Sequence, residues 1–190
     1  MPTDIPPLTY GTFYHIYNRG NNHENIFFQE RNYAYFLELW WKHISPIAET
    51  WAYCLLRNHF HAVVYVRNRE DLPGLKPPHQ YFSNFFNAYV RGVNISMQRT
   101  GALFERPFKR IPVGTTSYLM QLIVYIHQNP QKHRFTANFR YWNYSSYHQI
   151  LSGVSNHLER DRIIQHFGST EDFVRIHQEI QPLEGLEDEG

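Results

Sequence analysis

The clearest pattern in the chain is 48-AETWAYCLLRNHFHAVVYV-66. It contains two short runs rich in β-branched, aromatic and aliphatic residues, Ala48–Leu56 and Phe60–Val66. Only Arg57, Asn58 and His59 separate them, which is the spacing of two adjacent antiparallel strands joined by a short turn. The pattern therefore predicts a β-hairpin whose second strand opens on the sequence Asn-His-Phe-His.

Hydrophobic periodicity predicts further elements on both sides of this hairpin. Aromatic and β-branched residues predict strands over Thr9–Asn18 and Leu103–Val113. Apolar residues at three- and four-residue steps predict helices over Gln29–Ile47 and Gln80–Gln98. A further helix is expected over Ser117–Gln128, capped by Thr115 or Thr116 and stopped by Pro130. The order strand, helix, strand, strand, helix, strand, helix predicts an α+β fold, an antiparallel sheet covered by α-helices.

Composition limits the classes of protein to which the chain can belong. Its 190 residues, 42% of them hydrophobic, suffice for one domain with a core of its own. Cys54 is the single cysteine, which excludes an internal disulfide and a cysteine-rich zinc site. Residues Met1–Leu8 lack the basic and apolar segments of a signal peptide, and no apolar run approaches the roughly 18 residues that span a bilayer. We therefore expect a cytoplasmic protein with no membrane partner.

The net charge of +1 conceals an uneven distribution. Four acids cluster in the last seven residues, at positions 184, 187, 188 and 189. The segment Arg57–Arg110 instead carries nine Lys or Arg against three acids, a net charge of +6, interleaved with Phe and Tyr. Backbone contact and base stacking on nucleic acid require that combination, although ordinary solvated surfaces give similar counts.

Two local motifs carry candidate chemistry. His59 and His61 lie two apart on a predicted strand, so their side chains point to the same face and can reach one divalent ion. Tyr125 and Asn129 lie four apart on a predicted helix and share a face, which would join a nucleophile to a third ligand. Each motif also has a plain structural interpretation, as surface histidines and as a core tyrosine of an amphipathic helix.

The ordered set of motifs resembles the Y1 tyrosine transposases of the IS200/IS605 group, and within them the REP-associated tyrosine transposases. The resemblance covers nearly the whole chain. The matching segments are His15-Ile16-Tyr17-Asn18-Arg19-Gly20, Asn58-His59-Phe60-His61, Leu103-Phe104 to Arg110, Tyr125-Ile126-His127 with Asn129-Pro130, and Tyr144-Ser145-Ser146-Tyr147. Leu56 and Gln131-Lys132-His133 depart from the residues that are commoner at these places in relatives.

The resemblance implies an HUH nuclease fold with a ferredoxin-like, RRM-like core over residues 1–150. Residues 151–190 would form a helical C-terminal extension with an acidic tail. By the same resemblance His59, His61 and Asn129 hold Mg²⁺ or Mn²⁺, and Tyr125 cuts single-stranded hairpin DNA through a 5′-phosphotyrosine.

Motif position and charge select candidate DNA contacts, namely Asn18, Arg19, Arg91, Lys109 and Arg110. Relatives leave the oligomeric state open between monomer and homodimer. Two other functions also stay open. One is a domesticated protein that binds structured DNA but no longer transposes, and the other is a metallohydrolase in which the histidine pair activates water.

Overall fold

The computed structural model describes residues 7–72, 76–154 and 157–180. Strands and helices are interspersed along the first part of the chain, and the C-terminal part is helical. In chain order they are β1 (Thr12–Arg19), α1 (Glu30–His43), β2 (Ala48–Leu56), β3 (His59–Val66), α2 (Pro78–Ser96), β4 (Lys109–Val113), α3 (Thr116–Lys132), α4 (Tyr147–Ser152), α5 (Arg160–Phe167) and α6 (Thr170–Glu179). Short 3₁₀ turns lie at Asn21–His23, Arg69–Asp71 and Phe139–Tyr141. The predicted α+β class and element order are confirmed.

The four strands form one antiparallel sheet in the order β2-β3-β1-β4. The hairpin pairs Leu56 with His59, so its turn consists of Arg57 and Asn58 alone. On the other side of β3, Tyr17 of β1 lies opposite His61 and Arg19 lies opposite His59. Because side chains alternate along a strand, this register places these four on one face of the sheet and Phe60 on the other.

Helices α1 and α2 cover the face to which Phe60 points. The Phe60 ring makes edge contacts with Phe36 and Trp40 of α1, and Phe36 contacts Phe85 of α2 in the same way. Edge-to-face aromatic pairs add to the hydrophobic gain of burying such large rings. Gly92 of α2 has a structural reason in this layer, since a side chain there would collide with the Tyr35 ring of α1.

Helix α3 covers the opposite face, to which the histidines point. It begins as predicted, because the Thr115 hydroxyl accepts a hydrogen bond from the Tyr118 backbone N–H. Helices α5 and α6 pack on the outside of α3. No helix of the described ranges is long and apolar enough to cross a bilayer.

Several predicted element bounds are wrong. Helix α1 ends at His43 and not at Ile47, and β1 begins at Thr12 and not at Thr9. Strand β4 covers only Lys109–Val113; the preceding residues form a loop that joins the sheet through one isolated bridge between Phe104 and Gly20. Helix α3 continues through Pro130 to Lys132 instead of ending before the proline. The helix tolerates Pro130 because the residue lies close to the helix end, where proline removes only one backbone hydrogen bond. The Pro130 carbonyl still accepts a hydrogen bond from the Phe135 N–H. The predicted acidic tail lies outside the described residues.

Candidate active site

The two strand histidines meet on the face of the sheet that α3 covers. Their ring centroids are 5.2 Å apart and the rings are nearly perpendicular. His59 is 8% exposed and His61 is 1% exposed, so neither is the solvated surface residue of the plain interpretation. The strand alternation that the sequence predicted therefore does bring both imidazoles together at a largely dry position.

Hydrogen bonds fix the orientation of both rings. His59 Nδ1 lies 2.8 Å from Asn58 Oδ1, and since an amide oxygen only accepts, Nδ1 carries the proton. His61 Nδ1 lies 2.9 Å from His15 Nε2 on β1. A cation would therefore bind each histidine through Nε2, as the second ring nitrogen of a ligating histidine is held by a neighbouring group.

Tyr125 lies on α3 directly over this pair. Its ring is 5.9 Å from the His61 ring, edge to face, and the side chain is 1% exposed. The Lys132 ammonium lies 5.0 Å from the centroid of the Tyr125 ring. A cation over the face of an aromatic ring is attracted by the electron-rich ring face, and Lys132 brings a positive charge to this side of the site.

Asn129 is the most unusual residue of the site. It is fully buried, and within the described residues neither its Oδ1 nor its Nδ2 has a hydrogen-bond partner. Burying an amide without partners costs on the order of 1–3 kcal/mol, so a fold keeps such a group where another ligand binds it. On α3 it lies one turn from Tyr125, which contacts His61, and one turn from His133, which contacts His59. The amide therefore sits level with the histidine pair.

This donor set suits a hard or borderline divalent cation. Two imidazoles and one amide oxygen are neutral ligands, and they leave coordination positions for water or phosphate oxygens. The described residues contain no cluster of three or more His, Cys, Asp or Glu able to hold a metal. A third protein ligand would have to be of another type, and the Asn129 amide oxygen is a candidate. The two imidazoles and the amide fit a borderline cation such as Mn²⁺, whereas Mg²⁺ would take most of its ligands from water and phosphate oxygens.

Sequence reasoning gave no site role to two residues that the structure brings here. The His133 ring lies 4.9 Å from the His59 ring and is exposed, and Lys132 lies over Tyr125. Both belong to the segment that departs from the relatives. The sequence did not point to them because the helix was predicted to stop at Pro130. Lys132 and His133 can be placed on the same side as Tyr125 only if α3 continues to Lys132.

The predicted DNA contacts separate into three groups. Arg19 and Lys109 lie on the histidine face, where Lys109 pairs with Tyr17 in the sheet register and Arg19 forms a 2.6 Å ion pair with Glu105. Asn18 and Arg110 point to the other face and line a cavity of about 460 Å³ between α2 and the 102–108 loop. Arg91 is exposed on α2.

His127 of α3 hydrogen-bonds to His177 of α6 and to Ser146. The Phe173 carbonyl can only accept, so His177 donates from Nδ1 and accepts at Nε2 from His127 Nδ1, 2.8 Å away. His127 Nε2 then accepts from the Ser146 hydroxyl, also at 2.8 Å. This relay is neutral, because burial first and the His177 neighbour second lower the pKa of His127 well below its ordinary value. It ties α3 to α6.

Comparison with known proteins bears on the fold. Neither protein-family profiles nor curated proteins give a match. Among solved structures, a REP-associated tyrosine transposase bound to a REP hairpin is similar, with a TM-score of 0.60 and 16% sequence identity. The similarity covers 82% of this chain and 88% of that one. The chain thus has the fold of a REP-associated tyrosine transposase, as the sequence motifs predicted.

Proposed function

We propose that this chain, which shares its fold with a REP-associated tyrosine transposase, is a metal-dependent single-strand DNA endonuclease and strand transferase acting on hairpin-containing DNA. One observation carries the proposal. The fully buried Asn129 amide, partnerless within the described residues, lies one helical turn from Tyr125, whose ring contacts His61, and the rings of His59 and His61 are held by hydrogen bonds. A buried amide without partners calls for an explanation, and binding of a cation supplies one.

In the proposed reaction Tyr125 is the nucleophile. Its oxygen attacks the phosphorus of a DNA phosphodiester, and the bond from phosphorus to the 3′-oxygen breaks. The proton that the phenol loses passes to solvent, and the departing 3′-oxygen takes up a proton from solvent to become a 3′-hydroxyl. The product is a 5′-phosphotyrosine, which keeps the phosphodiester energy, so a second 3′-hydroxyl can attack it and rejoin strands without ATP.

The other residues would prepare this step. A divalent cation bound by His59, His61 and Asn129 supplies Lewis-acid neutralisation of the phosphate oxygens when it is present. Lys132 holds a positive charge beside the phenol and would contact the incoming phosphate. Because Tyr125 is almost fully covered, we expect the Lys132 side chain to move when DNA binds.

We place the DNA across the histidine face. Arg19 and Lys109 lie on that face and would contact backbone phosphates. The cavity that Asn18 and Arg110 line is on the other face of the sheet, so an unpaired part of the strand would reach it around the edge strand β4. His61 and Tyr125 meet within one chain, so we propose that a monomer in the cytoplasm can cleave without a partner subunit.

The test is formation of a covalent adduct. Purified protein is incubated with labelled single-stranded hairpin oligonucleotides from the flanks of its own gene, with Mn²⁺ or EDTA, and resolved on a denaturing gel. We expect a Mn²⁺-dependent adduct that Tyr125→Phe abolishes and that Tyr147→Phe, at another buried tyrosine, keeps. Hairpin binding without any adduct would support the domesticated binding protein. Cleavage without an adduct would support the metallohydrolase.

A further inference from the structure

A third histidine, His15, lies behind the proposed metal ligands. His15 lies on β1 opposite Val63, and Tyr17 lies opposite His61, so the side chains of His15, Tyr17 and His61 leave the sheet on one face. The His15 and His61 side chains are 2% and 1% exposed. Their rings are inclined by 22°, and His15 Nε2 lies 2.9 Å from His61 Nδ1.

We infer that His15 is a positioning residue that sets the tautomer and the angle of the His61 ring for cation binding, an inference that rests on the function proposed above. When His61 binds a cation through Nε2, its Nδ1 carries the proton and donates to His15 Nε2. That bond requires His15 to keep its own proton on Nδ1. The two neutral rings are thereby locked into one tautomeric pair.

Tyr17 limits the remaining freedom of both rings. It is stacked on His15 with centroids 4.7 Å apart and on His61 with centroids 5.6 Å apart. His61 therefore has its in-plane rotation fixed by a hydrogen bond and its tilt fixed by a stacked ring. Metal sites depend on such supporting contacts, whose loss typically lowers metal affinity by about 10- to 100-fold.

An imidazole acceptor has a chemical consequence that a carboxylate would not have. Ligating histidines commonly donate to a carboxylate, which adds negative charge next to the metal. His15, in contrast, accepts from His61 without adding a negative charge. The full charge of a bound cation would then face the DNA phosphate, so we expect metal and DNA each to strengthen binding of the other.

The experiment compares His15→Gln with His15→Phe. The Gln amide oxygen can accept from His61 Nδ1, whereas Phe fills the space but cannot accept. Mn²⁺ affinity is measured by electron paramagnetic resonance of free Mn²⁺, hairpin affinity is measured in EDTA, and Tm is recorded for each variant. His59→Ala serves as the ligand control, and Tyr17→Leu removes the stacked ring while leaving the acceptor.

We expect His15→Phe to bind Mn²⁺ about 10- to 100-fold more weakly and His15→Gln to stay within a few-fold of the wild type. The affinity of both variants for the hairpin in EDTA should change by less than about twofold, because neither substitution removes a contact to a DNA phosphate. The inference would be overturned, with the proposed function left standing, by either of two results. One is equal Mn²⁺ affinity in the wild type, His15→Gln and His15→Phe. The other is an equal loss of Mn²⁺ affinity in both variants that parallels a loss in Tm. Absence of Mn²⁺ binding in the wild type, or its persistence in His59→Ala, would overturn the proposed metal site as well.

Discussion

Strand β3 serves two different layers of the molecule. On one face Phe60 enters an aromatic core made by α1 and α2, in which rings pack edge to face. On the other face His61 contacts the buried Tyr125 of α3, the helix that also carries the buried Asn129. The first layer stabilises the fold through burial of apolar surface, while the second places polar groups in a dry environment at a cost in stability. The comparison shows that the two faces can be altered separately.

The largest effect on stability is expected in the aromatic layer. Phe60→Ala should lower the free energy of unfolding by about 3–5 kcal/mol, because it removes a ring with no exposed surface and leaves a cavity. His61→Ala should cost only about 1–2 kcal/mol, the cost of its hydrogen bond to His15, yet abolish the adduct. Urea unfolding and the adduct gel measure both quantities. Equal stability losses would contradict the division of roles between the faces.

Acid should lower the free energy of unfolding through the buried His127–His177 pair, which joins α3 to α6. Burial lowers the pKa of His177 from 6.5 to about 4, with His127 and Tyr147 facing it. Between pH 6.5 and about pH 4 His177 is protonated in the unfolded chain but not in the folded one, so the free energy of unfolding is highest above pH 6.5. It should fall by on the order of 3 kcal/mol as the pH approaches 4.

Urea unfolding between pH 4 and pH 8 measures this slope. His177→Phe should reduce the slope without removing it, because His127 stays in place with its own lowered pKa. His166→Gln, at an exposed histidine, should leave the slope unchanged. A slope that survives His177→Phe intact would show that another group titrates.

Removing the buried amide should increase stability in the absence of metal. Asn129→Leu replaces two partnerless polar atoms by an apolar side chain of similar shape and should raise the free energy of unfolding by about 1–2 kcal/mol. Mn²⁺ should then stabilise the wild type but not the variant, since a ligand stabilises only the state that binds it. Thermal unfolding with Mn²⁺ and with EDTA distinguishes the two. A loss of stability on this substitution would mean that the amide is held by protein groups.

The smallest stability change is expected at the exposed end of α3. Lys132→Met should alter the free energy of unfolding by less than about 0.5 kcal/mol, as surface substitutions usually do. The adduct should nevertheless form about tenfold more slowly, a loss of about 1.4 kcal/mol of transition-state stabilisation. Lys42→Met, on α1 of the other face, is the matched control for lost charge. Equal rates in both variants would remove Lys132 from the mechanism.

Much of this arrangement could be predicted from residue patterns. The period of two in β3 separated His59 and His61 from Phe60, and the Thr115 cap located the start of α3. Local patterns are sufficient where neighbouring residues determine the outcome. They could not show that the helix runs through Pro130, because tertiary packing overrides the local preference of the residue before a proline.

Contacts between distant segments could not be predicted either. His15 and His61 are 46 residues apart, and His127 and His177 are 50 apart, so only the sheet register and helix packing join them. The same limit applies to the DNA candidates. Lys109 and Arg110 looked equivalent in sequence, but strand pleating sends them to opposite faces. The predicted division at residue 150 stays a prediction, although α6 is bonded to α3 through His177.

The proposed reaction depends on a divalent cation that His59, His61 and Asn129 hold beside Tyr125. Anomalous X-ray diffraction from crystals soaked in Mn²⁺ would locate it. We expect one strong peak within about 2.0–2.4 Å of both Nε2 atoms and the Asn129 Oδ1, the range of metal–ligand bonds to nitrogen and oxygen. A peak elsewhere, with none between these three side chains in crystals whose other Mn²⁺ sites are filled, would contradict it.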